Sequence, residues 1–196
     1  MPVDNNTKTQ PVLVTGASGY IAGWIIKYLL EAGYTVHATV RDPNKQSSVA
    51  HLLKIAEKST GTLKLFKADL LTQGSFSEAM QGCSVVMHTA SPFVLDGFID
   101  ANEALVRPAV EGTANVLNSV NDCDSVKRVV LTSSVAAIYG DNKDILAVPS
   151  GVLTEEHWNT TSSVSHNPYQ YSKVAAEREA WRIQSQQSRW DMVSIN

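Results

Sequence analysis

With 196 residues, 43% of them hydrophobic, the chain can bury one substantial core but is too short for two ordinary domains. Its formal charge of -3 is spread without a basic stripe or run, which excludes a nucleic-acid partner and leaves small molecules as the expected ones. Cys83 and Cys123 are the only cysteines, too few and too far apart for a zinc cluster, and they read as reduced thiols, so no metal chemistry is expected.

Residues 1–10, MPVDNNTKTQ, are polar and predict a flexible N-terminal segment ahead of one dinucleotide-binding domain over residues 11–196. They lack the apolar stretch of a signal peptide, and no later segment offers the run of about 18 apolar residues that a membrane span needs. A cytoplasmic protein without membrane contact is the resulting expectation.

The run PVLVTG is short, apolar and β-branched, and it predicts a buried first strand over residues 11–15. From Tyr20, the residues Ile21, Ile25, Tyr28 and Leu29 recur at helical spacing, with Gly33 as the left-handed cap. TVHATV then reads as a second strand, Val49 to Lys58 as a helix and LKLFKADL as a third strand. The short SFSEAMQGC segment leads into SVVMHTA, the fourth strand. Residues 102–120 predict a longer helix whose Leu105, Ala109, Gly112 and Val116 share one face. VKRVVLTSS is the fifth strand, Pro168 opens a helix over residues 169–187, and DMVSIN begins a sixth strand.

Strand-helix alternation of this kind implies a doubly wound parallel α/β sheet of the Rossmann type, with helices on both faces. The long connection from Gly140 to Asn167 has no strong periodicity, and a loop of that length in a compact domain is expected to lie near the substrate.

Between the first strand and the first helix stands TGASGYIAG. A turn that tight needs residues tolerant of unusual backbone angles, and it must let main chain approach a pyrophosphate at the positive end of the helix. Gly16 and Gly19 meet both demands, and Ala22 takes the third small position. The cofactor cradle is therefore assigned to Thr15, Gly16, Ala17, Ser18, Gly19, Tyr20 and Ile21. At the end of the second strand the chain reads TVRD, so Arg41 stands first in line and Asp42 second. A guanidinium there matches a 2′-phosphate and favours NADP(H), with Lys45 as a second positive charge.

Tyr169 and Lys173 lie four apart on the last predicted helix, on one face and one turn from each other. A tyrosine that moves a proton near neutral pH needs its pKa drawn down from about 10, and a nearby ammonium does so by stabilising the phenolate. Ser133 and Ser134 end the fifth strand at the carboxyl edge of the sheet, where a hydroxyl can orient a substrate oxygen. His88 reads as a histidine packed beside the cofactor. Trp158, Trp181 and Trp190 read as packing residues, and His157, His166, Glu155 and Glu156 as solvated surface.

Taken in this order, TGASGYIAG, TVRDP, KADL, HTASP, LTSS and YQYSK resemble the extended branch of the short-chain dehydrogenase/reductase superfamily. Within it the pattern is most similar to dihydroflavonol 4-reductases, cinnamoyl-CoA reductases and microbial aldehyde and ketone reductases. The resemblance implies a catalytic triad of Ser134, Tyr169 and Lys173, with Ser134 preferred because family members place the active serine second in such a pair. It implies that Asp69 and Leu70 flank the adenine, that Thr89, Ala90 and Ser91 line the cofactor, and that Tyr169 and Lys173 also reach it, Lys173 at the nicotinamide ribose.

The activity implied is NADPH-dependent reduction of an aldehyde or ketone, dihydroflavonol-like or cinnamoyl-like among the options. The alternatives are a nucleotide-sugar epimerase or dehydratase of the same fold, or a truncated, non-catalytic NADP-binding module. Ala22 departs from the glycine that most relatives carry. The sequence ends at Asn196, before the relatives' C-terminal substrate lobe, so that lobe is expected to be missing. Similar enzymes often pair through their long helices, which makes a homodimer a further expectation.

Overall fold

The computed structural model describes residues 10–93 and 97–196. The expected flexible segment falls, apart from Gln10, outside them. Six strands form one sheet: β1 Val12–Thr15, β2 Thr35–Val40, β3 Thr62–Lys67, β4 Val85–His88, β5 Arg128–Thr132 and β6 Asp191–Ile195. All neighbours run parallel, in the order β3-β2-β1-β4-β5-β6. The order reverses between β1 and β4, and the crevice at the carboxyl ends of these two strands is where an open α/β sheet binds ligands.

Side chains alternate across β1, so Leu13 and Val14 feed two different cores. On the Val14 face, β1 and β2 pack against α1 (Tyr20–Glu31) and α2 (Gln46–Glu57) through Ile26, Leu30, Val36, Val49 and Leu52. On the Leu13 face the sheet packs against α3 (Ser77–Met80), α4 (Arg107–Asn121) and α5 (Pro168–Gln184), through Val86, Val116, Leu117, Val129 and Ile183. Helices thus cover both faces, as the alternation required.

Three details differ from the sequence reading. In α1 the buried stripe is Ala22, Ile26 and Leu30, whereas Ile21 is 54% and Tyr28 60% exposed. The small Ala22 faces the sheet beside the glycine turn, and that close approach turns the bulkier residues outward. Helix α2 starts at Gln46, ahead of the expected Val49; its first turn is polar and carries no apolar period to announce it. Ahead of α4, Asn102–Val106 forms a wider turn of π-helix. Pro108 has no N–H to give that turn, which leaves it free to widen.

The long connection is not loose. The Asp144 carboxylate accepts the N–H groups of Gly140 and Asp141 and the Thr161 hydroxyl, and buried Asn159 donates to the Ala136 carbonyl. Its last residues, Ser163 to Ser165, line an open cavity of about 740 Å³ together with Tyr171 and the segment Phe98–Ala101. Asn167 adopts φ 55° immediately before α5 and ties its amide to the Gly140 carbonyl at 3.1 Å.

Among the surface residues weighed from sequence, Glu155 and Glu156 are exposed, His166 pairs with Asp141 at 3.0 Å and His157 bonds Thr154. Trp190 is buried and donates to Asn121, while Trp158 stacks under the Arg178 guanidinium. Both cysteines are free and buried. Among the described residues no helix is long and apolar enough to cross a membrane, and no three His, Cys, Asp or Glu side chains gather as metal ligands.

Candidate active site at the sheet switch point

A cleft of about 540 Å³ opens over the carboxyl ends of β1 to β4, within the size range of small-molecule and cofactor pockets. One wall is the turn carrying Gly16, Ser18 and Gly19; Arg41 stands at the end of β2, Asp69 and Leu70 at the end of β3, and Thr89, Ala90 and Ser91 at the end of β4. Gly16 has φ 67°, and a Cβ there would meet the Ala90 Cα at 2.8 Å. Both the conformation and the approach demand glycine. The N–H groups that open α1 have no carbonyl upstream within the helix and border this turn.

The predicted cradle residues divide by role. Thr15 and Ala17 are fully buried and build the wall from behind; the Ala17 N–H is given to the Thr39 carbonyl at 2.9 Å. Tyr20 is 82% exposed and lines a neighbouring groove between α1 and α2, and Ile21 is exposed as well. For these two residues, only the main chain at the start of α1 borders the turn. Lys45 is exposed, at the entry to α2, and lies outside the cleft lining. Arg41 lines the cleft whereas Asp42 does not, because the Asp42 carboxylate accepts the Asn44 N–H at 2.9 Å in the following turn.

Thr15 organises the centre of the switch point. Its Oγ1 accepts the N–H groups of Thr89 and Ala90, both at 3.1 Å, and lies 2.8 Å from His88 Nδ1. With both acceptor positions taken, the hydroxyl proton points to Nδ1, so the ring is neutral and carries its own proton on Nε2. Burial pushes the His88 pKa down to about 4, and the nearby charge of Lys173 acts in the same direction. His88 is thus a packed, neutral support for the β4 end.

The second group of residues comes from the other half of the sheet. Ser134 follows β5 in an extended conformation, its Oγ accepting the Ala136 N–H at 3.1 Å. Tyr169 opens α5, and its phenol hydrogen-bonds Ser134. Lys173 is one turn on, buried, with Nζ donating to Ser91 Oγ at 3.0 Å and 5.8 Å from the Tyr169 ring centre. The ammonium therefore reaches Ser91 on the β4 wall of the cleft, with the Tyr169 phenol, and Ser134 beside it, next in line.

One sequence expectation is corrected here. Proximity to an ammonium was expected to lower the phenol pKa, but that of Tyr169 is raised, because burial outweighs the opposing Ser134 hydrogen bond. The Lys173 ammonium points to Ser91 and does not lower it. Lys173 itself is pushed down by burial, with Glu177 acting against that shift.

The two serines are told apart by their partners. Ser133 donates its hydroxyl to the Glu177 carboxylate, so it faces away from the phenol, and Ser134 is the one beside Tyr169. Two neighbours of the cluster were missed from sequence. Phe93 stands edge-on against the Tyr169 ring, with centroids 5.4 Å apart at 89°. Glu177 continues the four-residue spacing of Tyr169 and Lys173, a period that could have flagged it.

Known proteins place this arrangement in a family. Residues 12–196 match the NAD dependent epimerase/dehydratase family. The chain is 47% identical over 188 residues to cinnamoyl-CoA reductase CAD2 of Medicago truncatula, covering 94% of this chain and 56% of that protein. It is 40% identical over 175 residues to dihydroflavonol 4-reductase of Gerbera hybrida, covering 87% and 46% respectively. The structure of Gre2 from Candida albicans in complex with NADPH superposes with a TM-score of 0.81 at 32% identity, over 95% of this chain and 57% of that one. The chain thus spans about half the length of these relatives. On the strength of the family match over residues 12–196 and these identities, the chain belongs to the NAD dependent epimerase/dehydratase family of extended short-chain dehydrogenases/reductases.

Proposed function

We propose that this protein reduces an aldehyde or ketone to an alcohol with NADPH. The observation that carries the reading is a run of neighbours, Ser134 beside the Tyr169 phenol and Lys173 Nζ 5.8 Å from the Tyr169 ring, that reaches the cleft wall through the Lys173 hydrogen bond to Ser91. The residues present fit the dinucleotide: Gly16 at φ 67° closes the turn directly onto Ala90 with no room for a side chain, and Arg41 supplies a guanidinium at the end of β2 for a 2′-phosphate. Asp69 and Leu70 would flank the adenine, and the β4 end would follow the nicotinamide half. Bound there, NADPH supplies the hydride.

Ser134 would hydrogen-bond the substrate carbonyl oxygen and hold it against the Tyr169 phenol. A phenol kept protonated by burial is suited to give its proton to that oxygen as negative charge grows on it. Lys173, whose ammonium is directed at Ser91 on the cleft wall, would hold the nicotinamide ribose by donating hydrogen bonds to it. Phe93, edge-on to Tyr169, offers the substrate an apolar wall, in keeping with the aromatic cinnamoyl and dihydroflavonol groups named for the plant relatives.

Arg41 supports this reading over a nucleotide-sugar epimerase that keeps NAD bound. The deciding experiment follows NADPH oxidation with a panel of aldehydes and ketones in native protein and Tyr169→Phe, alongside a cofactor titration. Loss of turnover by about 100-fold or more with NADPH binding intact is the expected result. Undiminished turnover in Tyr169→Phe overturns the mechanism, and NADPH binding without turnover in the native protein identifies a binding module instead.

A further inference from the structure

Along one face of α5 every fourth residue carries a polar group: Tyr169, Lys173, Glu177 and Trp181. The first two belong to the cluster above, whereas Glu177 lines no part of the cleft. Its side chain is only 5% exposed, and its carboxylate accepts hydrogen bonds from the Ser133 hydroxyl, from Asn196 Nδ2 at 2.8 Å and from Trp181 Nε1 at 3.2 Å. All three donors are neutral. Lys173, one turn earlier and 8% exposed, likewise donates to a neutral partner, Ser91. Two opposite charges are therefore buried on successive turns, each solvated by neutral groups.

Between them lies a cavity of about 20 Å³, lined by both side chains together with His88, Thr113 and Ser133. That volume accommodates about one water and no larger ligand. Among the described residues, no other charge in the surroundings matches Glu177. His88 on β4 is neutral, and Tyr169 is a protonated phenol. On α4 and the turn before it, Arg107 pairs with Glu103 and Glu111 at the surface. Elsewhere on α5, Arg178 stacks on Trp158, and Glu179 pairs with Arg182. From the β5 end come Thr132 and Ser133, which do not titrate.

Building on the placement of Lys173 in the reacting cluster, we propose that Glu177 is a positioning residue whose buried carboxylate, acting across the shared cavity, keeps the Lys173 side chain charged and directed at Ser91. An ammonium this deeply buried is drawn toward its neutral form, and Glu177 is the group that opposes the change. The chemistry assigned to Lys173 needs the charged form, which makes this carboxylate a condition of that chemistry although it touches no reactant.

The test is an NMR titration of lysine Cε resonances in isotopically labelled protein, with the Lys173 signal assigned by its loss in Lys173→Arg. In Glu177→Gln the Lys173 midpoint should fall by about one pH unit or more, a tenfold loss of proton affinity. Glu177→Asp keeps the charge and should stay within about half a unit of native. An unchanged Lys173 midpoint in folded Glu177→Gln, with only the melting temperature lowered, reveals a structural role and overturns the proposal. Should Glu177→Gln not fold, two other results each overturn it: a native midpoint below neutrality, or an Asp variant that titrates far below native. Because the reading is taken on Lys173 itself, its outcome is independent of whether Tyr169→Phe abolishes turnover.

Discussion

Thr15 and His88 face each other across the β1–β4 junction, Oγ1 to Nδ1 at 2.8 Å, and the same oxygen holds the Thr89 and Ala90 N–H groups. Removing that oxygen leaves three polar groups without partners at the floor of the cleft. Thr15→Val, nearly the same shape, should cost about 3 kcal/mol of stability in urea unfolding. Thr15→Ser keeps the hydroxyl and should recover most of it.

Acid should weaken the fold through His88. Its folded pKa of about 4 lies below the unfolded value of 6.5. Above the unfolded value both states are neutral and its contribution is complete. As pH falls from 6.5 toward 4 only the unfolded chain takes up the proton, and stability is lost. The drop should be roughly 3 kcal/mol across that window, followed as urea midpoints at several pH values. His37, also lowered by burial, adds in the same direction, so His88→Gln should remove most of the slope but not all of it.

Nucleotide choice should depend on Arg41. Its guanidinium lines the cleft while the neighbouring Asp42 is held by Asn44. Arg41→Ala should weaken NADPH binding by about tenfold or more, the scale of one charge-assisted hydrogen-bonded pair, and leave NADH binding almost unchanged. Parallel fluorescence titrations with the two nucleotides check this, and equal losses for both would remove Arg41 from 2′-phosphate recognition.

Much of the succession of strands and helices, and the glycine turn, could be read from sequence, because their causes are local. A buried apolar run followed by a residue that must adopt positive φ is visible in PVLVTG, and Gly16 occupies that conformation. Features set by tertiary packing were not legible. Which face of α1 turns inward depends on how closely Ala22 approaches the sheet. The direction of the Tyr169 shift depends on burial, which spacing alone does not report. Glu177 sits in the stretch AAEREAW, where it resembles any surface glutamate; its burial comes from Ser133 and Asn196, distant in the chain. Similarly, the choice between Arg41 and Asp42 hinges on a turn bond to Asn44 that composition does not reveal.

The reversal of winding between β1 and β4 also divides the labour along the polypeptide. The residues proposed to grip a nucleotide's phosphates and adenosine lie before Pro92, those proposed to handle protons lie after Thr132, and the Lys173 to Ser91 hydrogen bond joins the two. Exchange of the segment around Arg41 can therefore retune coenzyme preference while leaving the proton-handling residues intact.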